Sequence, residues 1–354
     1  MRNILILGGT GAMGHHLCQI LAGKERVFVT TRKDYGNSND ITYIKGNAHD
    51  LFFLDTVLNL KEWDAIVDFM MYSTIEFSQR VDRLLAATNQ YVFLSSSRVY
   101  ADCAMPLTEE SPRLLDNCQD EKYLATDEYA LSKARQENML RQNEKANWTI
   151  IRPYITFSEC RLQLSQQEKE TWLYRALHGR TIVFSRDLAN ASTTITYGAD
   201  VAKDIANIIG QKESFGEVYH ITSGETHTWN EILNCYLNVI ERETKHKPRL
   251  LMETSWNNAH DGGKYQILYD RKYNRIFDNG KIQRISPQKH EPVLDQLDEC
   301  LKSFLGHPVF KNINWGLQAC QDRLTGEWAA INEINNAKQM LKYFLIRIGL
   351  MHYK

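Results

Sequence analysis

The chain is poor in the features that mark several classes of protein. It has only 7 proline residues in 354, too few for a collagen-like, Pro-rich or low-complexity chain. Its 7 cysteines (Cys18, Cys103, Cys118, Cys160, Cys235, Cys300 and Cys320) are odd in number, widely spaced and without a C-x-x-C pair. That argues against a disulfide framework or a thiolate zinc site, and for a reducing compartment. Charge of one sign is lacking too: 42 Lys and Arg stand against 43 Asp and Glu, a formal net charge of −1. No global field then draws in nucleic acid or an anionic membrane, and any anion site must be local. No apolar run approaches the roughly 18 residues of a membrane helix, and residues 343–351 are interrupted by Arg347. The first seven residues carry one charge and run straight into glycines, unlike a secretory leader. His15 and His16 have no third metal ligand spaced nearby. The expectation is a soluble cytoplasmic protein with no metal.

What is present is a composition fit for a large core, 43% hydrophobic and 24% charged. The length suggests two domains, or one α/β body with a smaller lobe. Short β-branched runs at 4–7, 27–30, 41–44, 65–69, 91–94 and 148–151 alternate with stretches of helical period, the pattern of βαβ units. This predicts an α/β chain with a Rossmann-type doubly wound parallel sheet, whose ligand crevice lies at the carboxyl ends of the strands. The expected division is residues 1–155 for the dinucleotide-binding domain, which could also receive later strands, 156–295 for a substrate lobe, and 296–354 for a helical tail. In the tail, Tyr343 and Phe344 are expected to pack a helix and to contribute to a homodimer contact.

Gly8-Gly9-Thr10-Gly11-Ala12-Met13-Gly14 follows the first strand and opens a helix. A turn there needs backbone able to take positive φ and to approach a pyrophosphate, and the helix N-terminus supplies free N–H donors. In that context the motif reads as a dinucleotide site. The second strand ends Thr30-Thr31-Arg32-Lys33, with two cations and no carboxylate to accept from a ribose 2′-hydroxyl. This favours NADP(H), with NAD(H) second. Asn47 and Ala48, past the third strand, are candidate adenine contacts. Phe69 and Met70, past the fourth, are candidate pocket wall.

Tyr129 and Lys133 lie four residues apart, hence on one face of a helix. A cation stabilises a phenolate, so such a tyrosine can serve as acid or base nearer neutral pH. The fifth strand ends Ser95-Ser96-Ser97-Arg98-Val99-Tyr100 at the same sheet edge. A serine there can bond the substrate oxygen that Tyr129 protonates or deprotonates.

Together these features resemble the extended short-chain dehydrogenase/reductase superfamily, in particular its NAD-dependent epimerase/dehydratase family, over about residues 1–290. The resemblance implies that the serine three before the Val-Tyr pair, Ser96, polarises the reacting oxygen, with Ser97 the alternative. It implies that Tyr129 is the acid/base and that Lys133 holds the nicotinamide ribose and tunes Tyr129. Ile151-Arg152-Pro153 is similar to the family's Leu-Arg-Pro element, which places Pro153 at the nicotinamide pocket. Asp68-Phe69 resembles the branch whose fourth strand ends in Asp-Phe instead of His-Leu-Ala, and the segment at 277–282 resembles the family's Asp-Asn-x-Lys.

The implied activity is NAD(P)-dependent hydride transfer at a hydroxyl or keto carbon of a sugar, nucleotide-activated, by an epimerase or ketoreductase. Two departures narrow it. Dehydratases of the family carry Asp-Glu directly after the catalytic Ser/Thr, and here Ser97-Arg98 stands there. The arginine that often grips the diphosphate is Thr193 here, leaving Arg161, Arg180 and Arg186 as possible replacements. A reading from another class is a cofactor-bound, non-catalytic member of the fold, RNA-associated or regulatory, since relatives of this branch resemble chloroplast RNA-associated proteins. The intact Ser, Tyr and Lys and the lack of a basic stripe argue against it.

Overall fold

The computed structural model describes residues 1–36, 40–254 and 263–353. The chain forms two compact units, the first from residues 1–158, 194–225 and 275–293, the second from 159–193, 226–274 and 294–354.

The first unit is built on strands β1 (Asn3–Leu7), β2 (Arg26–Thr31), β3 (Ile41–Lys45), β4 (Trp63–Asp68), β5 (Thr88–Leu94) and β6 (Trp148–Pro153). Its connecting helices are α1 (Gly14–Leu21), α2 (Leu51–Leu58), α3 (Thr74–Ser78), α4 (Val81–Ala86), α5 (Leu114–Asn117), α6 (Glu121–Leu124) and α7 (Tyr129–Gln142). Short β7 (Thr156–Phe157) pairs in parallel with β10 (Thr196–Tyr197), which leads into α10 (Gly198–Ile208). β11 (Glu217–Ile221) joins β6, and α13 (Gly280–Ile285) follows later in the chain. The result is a seven-stranded sheet in the order β11-β6-β5-β4-β1-β2-β3, parallel throughout. The predicted doubly wound Rossmann-type sheet is observed, with its strand order reversing between β1 and β4.

Burial on both faces explains why the strands read as unbroken apolar runs. Ile4 and Ile6 face one layer with Val27, Val29 and Val67, packed with Leu17 and Leu21 of α1 and Val201 and Ile205 of α10. Leu5 and Leu7 face the other with Ile66, Tyr91 and Phe93, under Leu54, Phe77 and Leu84 of α2 to α4. This alternation follows from the two-residue repeat of a strand. α1 stops where Gly23 takes φ +76°, and α2 starts at an Asp50 cap whose carboxylate accepts the Phe53 N–H at 2.7 Å.

The second unit contains α8 (Trp172–Leu177), β8 (Ile182–Ser185), α9 (Arg186–Ala189), β9 (Ser192–Thr193), β12 (His227–Thr228), α11 (Trp229–Thr244), β13 (Leu250–Glu253), α12 (Lys264–Gln266), α14 (Val293–Gly306), α15 (Trp315–Thr325) and α16 (Ala337–Arg347). β8 pairs with β13 in parallel, and β9 with β12 antiparallel. A capping box between Thr228 and Glu231 starts α11. Tyr174, Trp315, Ala319, Ile334, Tyr343 and Ile346 form one apolar cluster of this unit. Tyr343, expected to contribute to a homodimer contact, is buried here and donates to Asp322 at 2.6 Å, while Phe344 is 36% exposed. Among the described residues no helix is long and apolar enough to cross a membrane.

Candidate active site

The glycine loop turns between β1 and α1 under steric constraints that name its residues. Gly8 has φ +71°, and a Cβ on it would stand 2.9 Å from the Met70 sulfur. A Cβ on Gly9 would meet Ile6 at 2.7 Å, and one on Gly14 would meet the Gly9 backbone at 2.7 Å. These three fix the turn and its closeness to the sheet. Gly11 differs: a Cβ there would meet nothing within 4 Å, so bare backbone faces open space, flanked by exposed Thr10 and half-buried Ala12 and Met13. Such a loop, leading into a helix N-terminus, is a cradle that suits a pyrophosphate.

At the end of β2, Thr31 is buried and its hydroxyl accepts the Lys33 N–H at 3.2 Å, while Arg32 and Lys33 are exposed. The first carboxylate past the strand, Asp34, pairs with Lys45 at 3.0 Å. Past β3, exposed Asn47 forms a turn, its side-chain oxygen accepting the His49 N–H at 3.2 Å, and Ala48 beside it is buried. Past β4, the Phe69 N–H donates to the Leu7 carbonyl at 2.9 Å, which ties this segment to the strand that feeds the glycine loop. Pro153 ends β6, where it pairs with Ile221.

The three serines that close β5 have different partners. Ser95 donates to Glu137 at 2.6 Å, and Ser97 donates to the Arg152 carbonyl at 2.8 Å. Both protons are committed to packing. Ser96 caps the turn at Ser97–Val99, its oxygen accepting the Arg98 N–H at 3.2 Å, and that bond leaves the Ser96 proton uncommitted. By position and by bonding, Ser96 is the serine equipped to donate to an added oxygen.

α7 begins with a Glu128 cap that accepts the Ala130 N–H at 2.9 Å, which sets Tyr129 in the first helical turn. Glu128 also holds Arg98 at 2.6 Å, and the Arg98 guanidinium lies 5.2 Å from the centre of the Tyr129 ring. The Tyr129 hydroxyl has no hydrogen-bond partner among the described residues. One turn on, Lys133 is 2% exposed. Its ammonium donates to the Leu94 carbonyl at 2.7 Å and the Met70 carbonyl at 3.5 Å, and stands 4.5 Å from the centre of the Phe93 ring. Burial pulls its pKa down to about 8, against the countercharges of Asp68 and Glu137.

Sequence reasoning missed the groups beneath this surface. Glu137, a further turn along the same face of α7, is fully buried and receives Arg152 at 2.8 and 2.6 Å, Ser95 at 2.6 Å and Arg113 at 3.2 Å. Burial alone would raise its pKa, but the guanidinium of Arg152 and these donors hold it below the usual carboxylate range. The pair locks α7 onto β6. Arg152, expected only as part of a pocket element, thus points its side chain into the protein. The i, i+4, i+8 spacing of Tyr129, Lys133 and Glu137 was the available signal. Asn279, in the late Asp-Asn-x-Lys segment, bonds the Thr222 and Ser223 carbonyls at 2.9 and 3.1 Å and fixes the chain after β11. In the second unit, Arg180 is corrected as a diphosphate candidate: it is buried and ion-paired to Asp322 at 3.0 Å and Glu333 at 2.8 Å.

Residues 4–222 match the NAD dependent epimerase/dehydratase family, a stretch that takes in the glycine loop, the three serines, Tyr129 and Lys133. A search of curated proteins gave no match. Similar solved structures include the Bordetella bronchiseptica enzyme WbmH in complex with NAD+, 14% identical with a TM-score of 0.67 over 87% of this chain and 100% of that one. A dTDP-glucose 4,6-dehydratase from Bacillus anthracis in complex with NAD is 16% identical, TM-score 0.65, over 87% of this chain and 97% of that one. A UDP-N-acetylglucosamine 4-epimerase from Methanobrevibacter ruminantium in complex with UDP-N-acetylmuramic acid is 20% identical, TM-score 0.64, over 86% and 98%. At these identities the likeness is one of fold. With the family match spanning the whole strand-end site, the chain belongs to the NAD dependent epimerase/dehydratase family.

Proposed function

We propose that the protein is an NADP(H)-preferring, or secondarily NAD(H)-using, epimerase or ketoreductase acting at a carbinol or keto carbon of a nucleotide-activated sugar. The observation that carries this reading is the strand-end set: Ser96 with an uncommitted proton, Tyr129 with an unpartnered hydroxyl, and Lys133 buried one helical turn behind it. The bound nicotinamide would supply the hydride acceptor or donor. The loop from Gly8 to Gly14 would hold the pyrophosphate through backbone N–H groups, and Arg32 would meet a 2′-phosphate with Thr31 beside it. Asn47 and Ala48 would flank the adenine. Phe69, Met70 and Pro153 would wall the nicotinamide end.

At the reacting carbon, Tyr129 exchanges a proton with the substrate oxygen through its hydroxyl, and Ser96 donates a hydrogen bond to the same oxygen. Lys133 supplies the local positive charge behind the phenol and a donor to the ribose. The Arg152–Glu137 pair keeps α7, which carries Tyr129, in register with β6. Arg98 occupies the position where dehydratases of the family carry a carboxylate, and a guanidinium held by Glu128 cannot remove a proton from carbon. Elimination of water is therefore outside the proposal, although solved relatives include a dehydratase. A homodimer and a cytoplasmic location complete the proposal.

The test is incubation with UDP- and dTDP-hexoses and their 4-keto derivatives, following both sugar configuration and reduced nicotinamide absorbance. An inverted sugar without net cofactor change identifies an epimerase. Stoichiometric consumption of reduced cofactor identifies a ketoreductase. Failure to alter any of these substrates by a chain that binds the cofactor would overturn the substrate class.

A further inference from the structure

β4 ends in a carboxylate where ordinary packing would favour an apolar side chain. Asp68 is 1% exposed. One of its oxygens accepts the Met70 N–H at 2.9 Å and the other accepts the Tyr91 hydroxyl at 2.8 Å. The segment that follows is laced to α7 through its carbonyls. Lys133 donates to Met70 at 3.5 Å, and Ser132 and Gln136 donate to Tyr72 at 3.3 and 2.7 Å. A buried ammonium is costly unless a countercharge accompanies it. Around Lys133 the structure supplies two neutral carbonyls, an aromatic face and two carboxylates, Asp68 from β4 and Glu137 from its own helix. Glu137 already serves two arginines. Asp68 has no such bidentate partner.

We propose that Asp68 is a positioning residue for Lys133, its carboxylate supplying the countercharge that keeps the buried ammonium protonated while its hold on the Met70 N–H sets the carbonyl that Lys133 meets. This rests on the reading of Lys133 as the cation behind Tyr129. Four groups face Asp68: Tyr91 on β5, Tyr72 in the segment after β4, Arg80 between α3 and α4, and Lys133 on α7. Burial raises the Asp68 pKa to about 6, against the Met70 N–H, the Tyr91 hydroxyl and the two cations. Burial opposes the charge on both groups, raising the Asp68 pKa and lowering that of Lys133, so the pH range in which both are charged is narrowed from both sides.

The experiment is an NMR titration of the whole chain carrying 13C at lysine Cε, with the Lys133 signal assigned by its loss in Lys133→Arg. Asp68→Asn keeps an oxygen to accept the Met70 N–H, turns an NH2 donor toward the Tyr91 hydroxyl and removes the charge. It should lower the Lys133 midpoint by about one pH unit or more, the size expected for an opposite charge close by. Tyr91→Phe, which leaves Asp68 in place but removes a donor to it, should raise the Asp68 midpoint and leave Lys133 close to wild type. The pH at which dinucleotide affinity falls on the alkaline side should move with the Lys133 midpoint. A Lys133 midpoint unchanged in Asp68→Asn would overturn the proposal. Should Asp68→Asn not fold, the wild-type Lys133 signal decides: it should show a second, smaller inflection where Asp68 gains its proton, near pH 6, and its absence would overturn the proposal. Because the titration needs neither substrate nor cofactor, a chain that binds no dinucleotide would sink the functional reading and leave this result standing.

Discussion

Two of the places where this molecule buries charge are built on opposite plans. In the second unit, Arg175 and Arg180 enclose Asp322 at 2.6 and 3.0 Å, and the cluster is completed by Glu327, Glu333 and the Tyr343 hydroxyl. Thr181 and Thr325 add donors to Glu327. With Arg249 on Glu327 at 2.9 Å, three guanidiniums face three carboxylates, and both Asp322 oxygens accept donors. The network joins α8 and the segment before β8 to α15 and α16 and orders the C-terminal segment of its unit. At the strand ends of the first unit, by contrast, Lys133 has carbonyls for its hydrogen-bond partners and keeps a depressed pKa, while the Tyr129 hydroxyl has no partner among the described residues. A saturated cluster fixes structure because every alternative loses a bond. An unsaturated one is poised to take up another molecule's atoms, which is why perturbed groups gather at functional sites.

Substitutions should separate the two plans. The largest effect is expected from Asp322→Ala, which removes the carboxylate that two buried guanidiniums share and the acceptor of the Tyr343 hydroxyl, and should cost about 3–5 kcal/mol of stability. Chemical denaturation measures it, and a loss below about 1 kcal/mol would show that the cluster is not structural. Tyr129→Phe should leave the denaturation midpoint and dinucleotide affinity in place while lowering turnover about 10²- to 10⁴-fold. Lys133→Met should change how stability depends on pH. Because the folded pKa of Lys133 is depressed to about 8, the unfolded chain binds more protons between there and the usual lysine value, so wild-type stability climbs as pH rises through that window. Removing the amine should abolish that climb, at the expense of turnover, and denaturation followed against pH measures it. A climb that persisted in the variant would refute this. Arg32→Glu should lower the preference for NADPH over NADH about tenfold or more, as loss of one charge-assisted contact predicts, read from the ratio of the two dissociation constants. Smallest is Ser97→Ala, which removes one buried hydrogen bond worth about 1 kcal/mol and should spare turnover, whereas Ser96→Ala should not.

The parallel sheet was legible because its strands are buried on both faces and so read as continuous apolar runs, from residues 4–7 to 148–151. The glycine loop was legible because Gly8, Gly9 and Gly14 sit where a Cβ has no room. The choice among Ser95, Ser96 and Ser97 depends on partners at Glu137 and Arg152, which lie 42 and 55 residues away and leave no local signature. The second unit's network is less legible still, since Arg175 meets Asp322 across 147 residues. That distance is why Arg180 read as a free cation suited to a diphosphate. Asp68 was visible as an unusual residue at the end of β4, but its relation to Lys133 needed the fold that brings β4 beside α7.

The central claim is that the strand-end site works on a bound nicotinamide dinucleotide. The most direct measurement is to denature the purified protein and identify any released nucleotide by mass, then titrate the emptied or empty native protein with NADPH and NADH. The account predicts NADP(H) or NAD(H) either released in near-stoichiometric amount or bound reversibly on addition, with tighter binding of the phosphorylated form. A chain that releases neither and binds neither would contradict the reading of the glycine loop and the proposed function built on it.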